Sequence, residues 1–242
     1  MSPIILYIEG NIGTGKSTFL KHLDNDDLKK KYNYDVIYEP VDIWQNVGIL
    51  KKFYEDPKRY CYLFQSYCLF TRYQLLNNID PKLDYVFVER SIFSDNYVFA
   101  KTCKELGQLD DIEFKIYIDW FTKFLCNHPQ KYYHIYLRLD PQTCLERIQQ
   151  RNRGEESNIS LFYLEKLHNA HENWSNNPVQ KNLKFIKVYD NKEFLIPSKV
   201  IEEIHYSIIS KCNQPLNLNS TSLSVSPISS WGNTIHSSLF CS

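Results

Sequence analysis

The sequence predicts an α/β fold in which a parallel β-sheet carries helices on both faces. Five short apolar runs, rich in β-branched or aromatic residues, alternate with longer amphipathic stretches. Because strands that alternate with helices form βαβ units, this order predicts a five-stranded parallel sheet. The strands are expected at residues 4–8, 36–38, 85–88, 133–139 and 183–189.

Helices are expected between these strands, and some have clear start signals. Asp140 precedes Pro141 as an N-cap and first-turn pair. Leu161, Leu164 and Leu167 recur at helical spacing. The helices are expected at residues 16–23, 59–78, 93–105, 111–126, 141–150, 160–174 and 198–211.

The order of these elements predicts one domain over residues 1–211 and a tail over residues 212–242. Residues 217–230 contain no charged side chain and are dominated by Ser, Asn, Leu and Pro. Such a composition cannot build a core, so we expect the tail to be flexible.

Charge and cysteine content exclude several classes of protein. Lys and Arg total 28, and Asp and Glu total 28, so the formal net charge is zero. This balance excludes a surface devoted to nucleic acid or to an anionic membrane. The seven cysteines form no C-x-x-C pair, which favours reduced thiols. No apolar run reaches transmembrane length and no targeting segment is recognised, so we expect a cytoplasmic protein, with a nuclear location also open.

Residues 10–17 match the phosphate-loop pattern G-x-x-x-x-G-K-[ST] in full. The motif follows a predicted strand and precedes a predicted helix, and this context disfavours a glycine turn of an unrelated fold. Its glycines let backbone N–H groups surround an anion. Lys16 is expected at the β- and γ-phosphates and Ser17 at Mg²⁺. The sequence therefore predicts a site for a nucleoside triphosphate.

Charged side chains follow the second and third predicted strands. Glu39 follows the second strand, and Glu89 and Arg90 follow the third. Ligands of open parallel sheets bind beyond the carboxyl ends of the strands, so these side chains are expected near the triphosphate. Phosphoryl transfer needs one carboxylate at the attacking hydroxyl and another near Mg²⁺. Glu39 and Glu89 are candidates for both roles, the alternative being ordinary charged strand ends.

Arg147, Arg151 and Arg153 form a second cationic cluster. Arg147 and Arg151 lie one helical turn apart, where like charges repel by a few tenths of a kcal/mol unless an anion binds. We expect the three arginines to form a lid over the triphosphate. The alternative is a solvated helix face balanced by neighbouring glutamates.

Two further patterns bear on the class of enzyme. Residues 190–194 approach the guanine motif N-K-x-D but lack its final Asp, and Arg90 stands where a motor ATPase has a second acid. Both observations favour a small kinase. His168 and His171 share a helix face, but no further ligand completes a metal site, so a solvated face is expected.

Five segments occur in an order that resembles the deoxynucleoside kinase family: IEGNIGTGKST at 8–18, EPV at 39–41, FQSY at 64–67, ERS at 89–91 and YLEKLH at 163–168. The resemblance covers about residues 4–211. It implies a P-loop kinase fold with an arginine-rich lid and ATP-dependent phosphorylation of a deoxynucleoside at its 5′-hydroxyl, in nucleotide salvage. It also implies a homodimer packed through helices 59–78 and 111–126.

The resemblance assigns roles to individual residues. The catalytic set is Glu39 as general base, Arg90 at the same end of the substrate, and Glu89, with Ser17 and Glu89 as metal ligands. The residues expected to bind ATP are Gly10, Asn11, Ile12, Gly13, Thr14, Gly15, Lys16, Ser17, Thr18, Arg147, Arg151, Arg153, Glu193 and Phe194. The residues expected to bind the nucleoside are Glu39, Trp44, Leu50, Phe53, Tyr54, Phe64, Gln65, Arg72, Arg90, Asp95, Phe99 and Glu156.

Arg72 and Asp95 match a charged pair of the deoxycytidine and deoxyguanosine kinases, where thymidine-accepting members carry apolar residues. The pair occupies the space that a thymine 5-methyl group needs. We therefore expect deoxycytidine, deoxyadenosine or deoxyguanosine to be preferred over thymidine. The alternatives are a nucleoside monophosphate kinase of the thymidylate type and a non-catalytic ATP-binding subunit.

Overall fold

The computed structural model describes residues 2–128 and 131–177, together with the backbone of residues 185–189. These residues belong to one compact unit. The predicted helix at 198–211, the predicted tail at 212–242, and Glu193 and Phe194 lie outside the described residues.

The sheet is parallel, in the strand order β2-β3-β1-β4-β5. Helices join the successive strands, so the predicted α/β class with a parallel sheet is confirmed. Four strands lie in the two long described stretches, and β5 pairs with β4 at one edge. The bounds are β1 (Ile4–Glu9), β2 (Tyr34–Ile37), β3 (Tyr85–Glu89), β4 (Tyr132–Arg138) and β5 (Phe185–Tyr189).

The helices begin and end close to the predicted positions, apart from three that the sequence did not indicate. A π-helical segment, Asp95–Ala100, joins α6 to α7, and a 3₁₀ turn, Gly154–Glu156, follows α9. The bounds are α1 (Lys16–Leu23), α2 (Asp26–Tyr32), α3 (Val41–Val47), α4 (Ile49–Glu55), α5 (Pro57–Asn77), α6 (Ile92–Ser94), α7 (Lys101–Glu105), α8 (Asp111–Cys126), α9 (Pro141–Arg151) and α10 (Leu161–Ser175).

The three unexpected helices are α2, α3 and α4, and each is short. No residue of α2 is buried, so α2 shows no apolar periodicity; the Asn25 side chain caps it instead. Gly48, with φ of 78°, separates α3 from α4 and interrupts what would be one longer apolar pattern. Helices of seven residues are below the length at which periodicity is decisive.

The core lies between the sheet and the helices on its two faces. Residues 5–9 of β1 are all buried, as expected for a central strand of a parallel sheet. Cys61, Cys68, Cys103 and Cys144 are buried and form no disulfide with another described cysteine, and Cys126 is exposed. None of the helices in the described part of the chain is both long and apolar enough to span a membrane.

Candidate active site

The phosphate loop connects β1 to α1 and is shaped by glycines in left-handed conformations. Gly13 has φ of 84°, and a Cβ built there would lie 2.5 Å from the carbonyl oxygen of Cys144 in α9. Only glycine fits this close approach. Asn11 Nδ2 donates to the carbonyl oxygen of Leu164 at 2.8 Å, which fastens the loop to α10. The loop is therefore held from α9 and from α10.

One cavity of about 660 Å³ opens from this loop toward α3, α4 and α5. It brings together the predicted ATP and nucleoside residues, with few exceptions. Gly10, Asn11 and Thr14 belong to the loop but do not line the cavity. The predicted residues that line it are Ile12, Gly13, Gly15, Lys16, Ser17, Thr18, Glu39, Trp44, Leu50, Phe53, Tyr54, Phe64, Gln65, Arg72, Glu89, Arg90, Asp95, Phe99, Arg147, Arg151, Arg153 and Glu156.

Four lining residues were not assigned to the site from the sequence, namely Val41, Cys68, Gln150 and Tyr163. Their spacing holds a signal that a helical projection would have shown. Cys68 lies one turn from both Gln65 and Arg72 on α5, and Gln150 lies one turn from Arg147 on α9. Residues on the same face of a helix as a site residue are therefore further candidates.

Glu39 lies at the centre of the charged part of the cavity. Its Oε1 accepts from Arg90 Nε at 3.2 Å and also from Arg72 Nη2. Arg72 Nη1 donates in turn to Asp95 Oδ1 at 2.8 Å. Burial raises the pKa of Glu39, but Arg90, Arg72 and Lys16 outweigh it and lower the pKa to about 2. Glu39 is therefore ionised at neutral pH.

Asp95 is almost fully buried, and burial raises its pKa to about 7 against the opposing effects of Arg72 and Arg90. Its Oδ2 has no hydrogen-bond partner within the described part of the chain. An unpaired acceptor of this kind favours a donor group on a ligand, since an unpaired buried oxygen is costly.

Arg90 follows β3 in a left-handed conformation, with φ of 66°. For a residue with a side chain such a conformation costs on the order of 1–3 kcal/mol and persists only where its surroundings hold it. Arg90 Nη1 donates to the carbonyl oxygen of Gly10 at 3.0 Å, and its guanidinium lies 4.4 Å from the centre of the Phe99 ring. The turn thus aims the guanidinium between the phosphate loop and Glu39.

Ser17, in the first turn of α1, contacts Glu89, the last residue of β3. Ser17 Oγ donates to Glu89 Oε1 at 2.7 Å, and both residues line the cavity. A hydroxyl and a carboxylate are the oxygen ligands that Mg²⁺ prefers. These two residues therefore fit a bound magnesium ion next to the phosphate loop.

The three arginines of the predicted lid have partners within the protein. Arg151 Nε and Arg153 Nη1 donate to the two carboxylate oxygens of Glu156, at 2.8 and 3.0 Å. Arg147 Nη1 donates to the carbonyl oxygen of Thr14 at 3.4 Å. Glu156 is buried and also lines the cavity.

Aromatic side chains surround the other end of the cavity. The Phe53 and Phe64 rings stack with their centres 4.7 Å apart, and Trp44 meets Phe64 edge to face. Gln65 is buried, and its Nε2 lies 3.7 Å from Cys103 Sγ. Aromatic side chains and one buried amide in the cavity wall suit an aromatic ring that carries hydrogen-bonding groups on one edge.

The solvated face predicted for His171 is wrong. His171 is buried, with Nδ1 2.8 Å from the carbonyl oxygen of Leu167, and its ring stacks on Tyr136. Burial, with Arg90 and Lys16 nearby, lowers its pKa to about 3, so the imidazole is neutral. His171 packs α10 against the sheet, a role that its i,i+3 spacing to His168 did not reveal.

Lys16 provides a first test of the triphosphate site. Its Nζ donates to the carbonyl oxygens of Gly10 at 3.1 Å and Asn11 at 2.7 Å. Burial and Arg90 lower its pKa to about 7, although Glu89 and Glu39 oppose them. We expect ATP to raise this pKa by placing phosphate charge beside the amine, so binding at pH 8 should take up as much as about one proton.

The measurement is calorimetry of Mg-ATP binding at pH 8 in buffers of different ionisation enthalpy. Lys16→Arg is the matched control, because a guanidinium stays protonated and should show no uptake through this side chain. A wild-type binding heat that is the same in every buffer contradicts the expectation.

Comparisons with known proteins identify the family of this chain. A family model described as deoxynucleoside kinase matches residues 6–213. A probable deoxycytidine kinase of Fowlpox virus is 34% identical over 194 residues, covering 78% of this chain and 79% of the viral protein. The mitochondrial deoxyguanosine kinase of Xenopus laevis is 36% identical over 70% of this chain and 72% of its own, and human deoxycytidine kinase is 37% identical over 69% and 73%. The chain belongs to the deoxynucleoside kinase family and is a phosphotransferase.

Proposed function

We propose that this kinase transfers the γ-phosphoryl group of ATP to the 5′-hydroxyl of a deoxynucleoside, and that deoxycytidine, deoxyadenosine and deoxyguanosine are preferred over thymidine. The observation that carries the proposal is the position of Glu39. This ionised carboxylate lies in the same cavity as Lys16 and is held by two arginines. A carboxylate fixed beside a triphosphate site is what transfer to an alcohol requires.

Glu39 acts by orienting the 5′-hydroxyl and accepting its proton as transfer proceeds. A carboxylate with a pKa of about 2 is a weak base. Phosphoryl transfer passes through a loose transition state in which positioning matters more than base strength. Arg90, between Glu39 and the carbonyl oxygen of Gly10, stabilises negative charge on the group in transfer.

The triphosphate end uses the phosphate loop and the three arginines of the predicted lid. Lys16 contacts the β- and γ-phosphates, and Arg147, Arg151 and Arg153 close over them as a lid. Ser17 and Glu89 would hold Mg²⁺, which neutralises charge on the phosphates when bound. The remaining residues proposed at ATP are Gly10, Asn11, Ile12, Gly13, Thr14, Gly15, Thr18, Glu193 and Phe194.

The nucleoside end recognises the base and the sugar separately. Phe64 and Phe99 enclose the base, and the amide of Gln65 pairs with its edge. Tyr54 and Glu156 bind the 3′-hydroxyl. Burial raises the pKa of Tyr54 well above its usual value, so its hydroxyl remains a donor. Trp44, Leu50 and Phe53 fill the rest of the pocket.

The Arg72–Asp95 pair sets the preference among bases. Both side chains are buried and line the cavity, and Asp95 Oδ2 has no partner within the described part of the chain. An exocyclic amino group can donate to that oxygen, whereas the thymine 5-methyl group offers the pair no hydrogen bond.

We also propose a homodimer formed through α5 and α8. Tyr73 of α5 stacks on Phe124 of α8 with ring centres 4.3 Å apart, which fixes the two helices together. Their exposed apolar side chains are candidates for an interface with a second copy. These side chains are Leu63 and Phe70 on α5, and Ile112, Ile116 and Trp120 on α8.

The four buried cysteines, Cys61, Cys68, Cys103 and Cys144, form no disulfide within the described part of the chain, which supports the proposal that the enzyme acts in the cytoplasm, a reducing compartment. There it would serve nucleotide salvage, the use of preformed deoxynucleosides.

The central prediction concerns turnover and Glu39. Mg-ATP and purified protein should phosphorylate deoxycytidine, deoxyadenosine or deoxyguanosine, with thymidine a poor substrate. Glu39→Gln should lower kcat by about 10²–10⁴-fold while ATP still binds, because only the group at the hydroxyl changes. Asp42→Asn, an exposed change on neighbouring α3, is the matched control and should leave kcat unchanged. Turnover of deoxynucleoside monophosphates and of no deoxynucleoside would contradict the proposal and indicate a nucleoside monophosphate kinase.

The double substitution Arg72→Met and Asp95→Ala tests base preference. We expect the ratio of kcat/KM for thymidine to that for deoxycytidine to rise about tenfold or more. The absolute kcat should fall, because Glu39 loses one of its two arginines. Arg72→Met alone is the control for loss of the arginine without loss of Asp95. This variant leaves Asp95 buried without its cation and should destabilise the fold by about 3–5 kcal/mol. An unchanged ratio in the folded double variant contradicts the proposal.

The homodimer predicts that a charge on α8 yields monomers. Trp120 is 52% exposed, and Trp120→Glu should shift the mass measured by light scattering from dimer to monomer. Phe162→Glu is the matched control, since Phe162 is 57% exposed but lies on α10. A wild-type protein that is monomeric at micromolar concentration would rule out this interface.

A further inference from the structure

A buried carboxylate lies beneath the turn that carries Arg90 and has no role in the chemistry described above. Glu9 is the last residue of β1 and is fully buried. Its Oε1 accepts a hydrogen bond from Ser91 Oγ at 2.5 Å and lies 3.0 Å from His134 Nδ1. Its Oε2 has no hydrogen-bond partner within residues 2–128 and 131–177. Both polar contacts of Glu9 therefore involve one oxygen.

Ser91 connects Glu9 to the start of α6 and to Asp95, which lines the cavity. Its Oγ accepts from the Ser94 N–H at 3.2 Å as the N-cap of α6, and its carbonyl oxygen accepts from the Asp95 N–H at 3.3 Å. A serine hydroxyl has a single hydrogen, and Glu9 receives it, which leaves the lone pairs free for Ser94. Glu9 therefore sets the direction of the hydroxyl that caps this helix.

Three consecutive residues of the chain hold the Arg90 turn. The Arg90 N–H donates to the carbonyl oxygen of Ile8 at 3.0 Å, and Arg90 Nη1 donates to that of Gly10 at 3.0 Å. Glu9, between them, binds Ser91, the residue after Arg90. The left-handed backbone of Arg90 is strained, so it depends on such contacts.

The negative charge of Glu9 is consistent with a contribution to holding the Arg90 turn. Burial raises its pKa, but the bonds with His134 and Ser91 and the charge of Arg90 lower it to about 2. The ionised carboxylate can accept from both neighbours and has no proton to donate. An apolar side chain would fill the same space without the cost of burying a charge, so packing alone does not account for a carboxylate here.

We propose that Glu9 is a positioning residue of the kinase: through Ser91 it fixes the turn at Arg90, and thereby the guanidinium that contacts Glu39. The proposal rests on the catalytic roles proposed for Glu39 and Arg90.

Steady-state kinetics of Glu9→Gln and Ser91→Ala test the proposal. We expect each to lower kcat for deoxycytidine about tenfold or more, with KM for ATP changed less than about threefold, because a small misplacement of Arg90 affects the transition state more than ATP binding. The double variant should be no slower than the slower single variant, because both changes break the same connection.

Tyr7→Phe is the matched control. Tyr7 lies two residues earlier on the same face of β1, and its hydroxyl is 2.7 Å from His128 Nε2, away from Ser91. Tyr7→Phe should lower the melting temperature, as Glu9→Gln and Ser91→Ala do, but should leave kcat within about twofold of the wild-type value. The proposal is overturned if kcat follows melting temperature across all three variants, if the two single effects multiply, or if the folded Ser91→Ala protein has wild-type kcat.

Crystal structures of Glu9→Gln and Ser91→Ala give a readout that does not require turnover. Movement of the Arg90 guanidinium away from Glu39 in both variants supports the proposal, and an unchanged Arg90 backbone and contact in Glu9→Gln overturns it. If the wild-type protein phosphorylates no deoxynucleoside, the proposed function fails, and the Glu9→Gln structure still decides the role of Glu9.

Discussion

Two buried guanidinium groups hold the carboxylate of Glu39, and the rest of the site depends on this arrangement. Arg72 comes from α5, whereas Arg90 comes from the turn after β3. Each has a second anchor, Arg72 at Asp95 and Arg90 at the carbonyl oxygen of Gly10. Buried charges are tolerated only as a complete set, since the loss of one member leaves another unpaired. The contacts of Arg72 and Arg90 with Glu39 therefore fix α5 relative to the sheet.

This arrangement couples the catalytic role proposed for Glu39 to the base preference proposed for the Arg72–Asp95 pair. Arg72 contacts Asp95 through one nitrogen and Glu39 through the other. A change made at the base end therefore alters the field at Glu39, whose pKa is lowered by Arg90, Arg72 and Lys16 together. Neighbouring charges of one network do not contribute additively.

The sequence predicted most of the fold because its signals are local. The phosphate loop between a strand and a helix, the capping pair at Asp140 and the alternation of strands and helices depend only on neighbouring residues. Helices α2, α3 and α4 were missed because they are short; α2 buries no residue at all. The π-helical segment after α6 was also hidden, since a one-residue change in helical register leaves the apolar pattern nearly intact.

The residues of the site were predicted better than the contacts between them, because these contacts join residues that are far apart in the sequence. The residue types at the carboxyl ends of the strands pointed to a phosphotransferase. Of the residues named for the site that lie in the described part of the chain, all but Gly10, Asn11 and Thr14 line the cavity. The resemblance supplied the Arg72–Asp95 pair, but the contact between Glu39 and Arg72 was not inferred, because it joins positions 33 residues apart. The same holds for Glu9 and Ser91, which are 82 residues apart. Such partners are set by packing of whole elements, and only the structure shows them.

Glu156 shows how such a pairing adds to the chemistry of the site. It binds Arg151 and Arg153 through its two carboxylate oxygens and lines the cavity near Tyr54. In the function proposed above, a ligand hydroxyl that donates to Glu156 would weaken the attraction of Glu156 for the two arginines, and phosphate bound by the arginines would leave Glu156 more available. Coupling between two sites is reciprocal, so each ligand alters the affinity for the other by the same factor. The buried carboxylate of Glu156 thus connects the part of the cavity proposed to bind the sugar with the arginines at the end of α9.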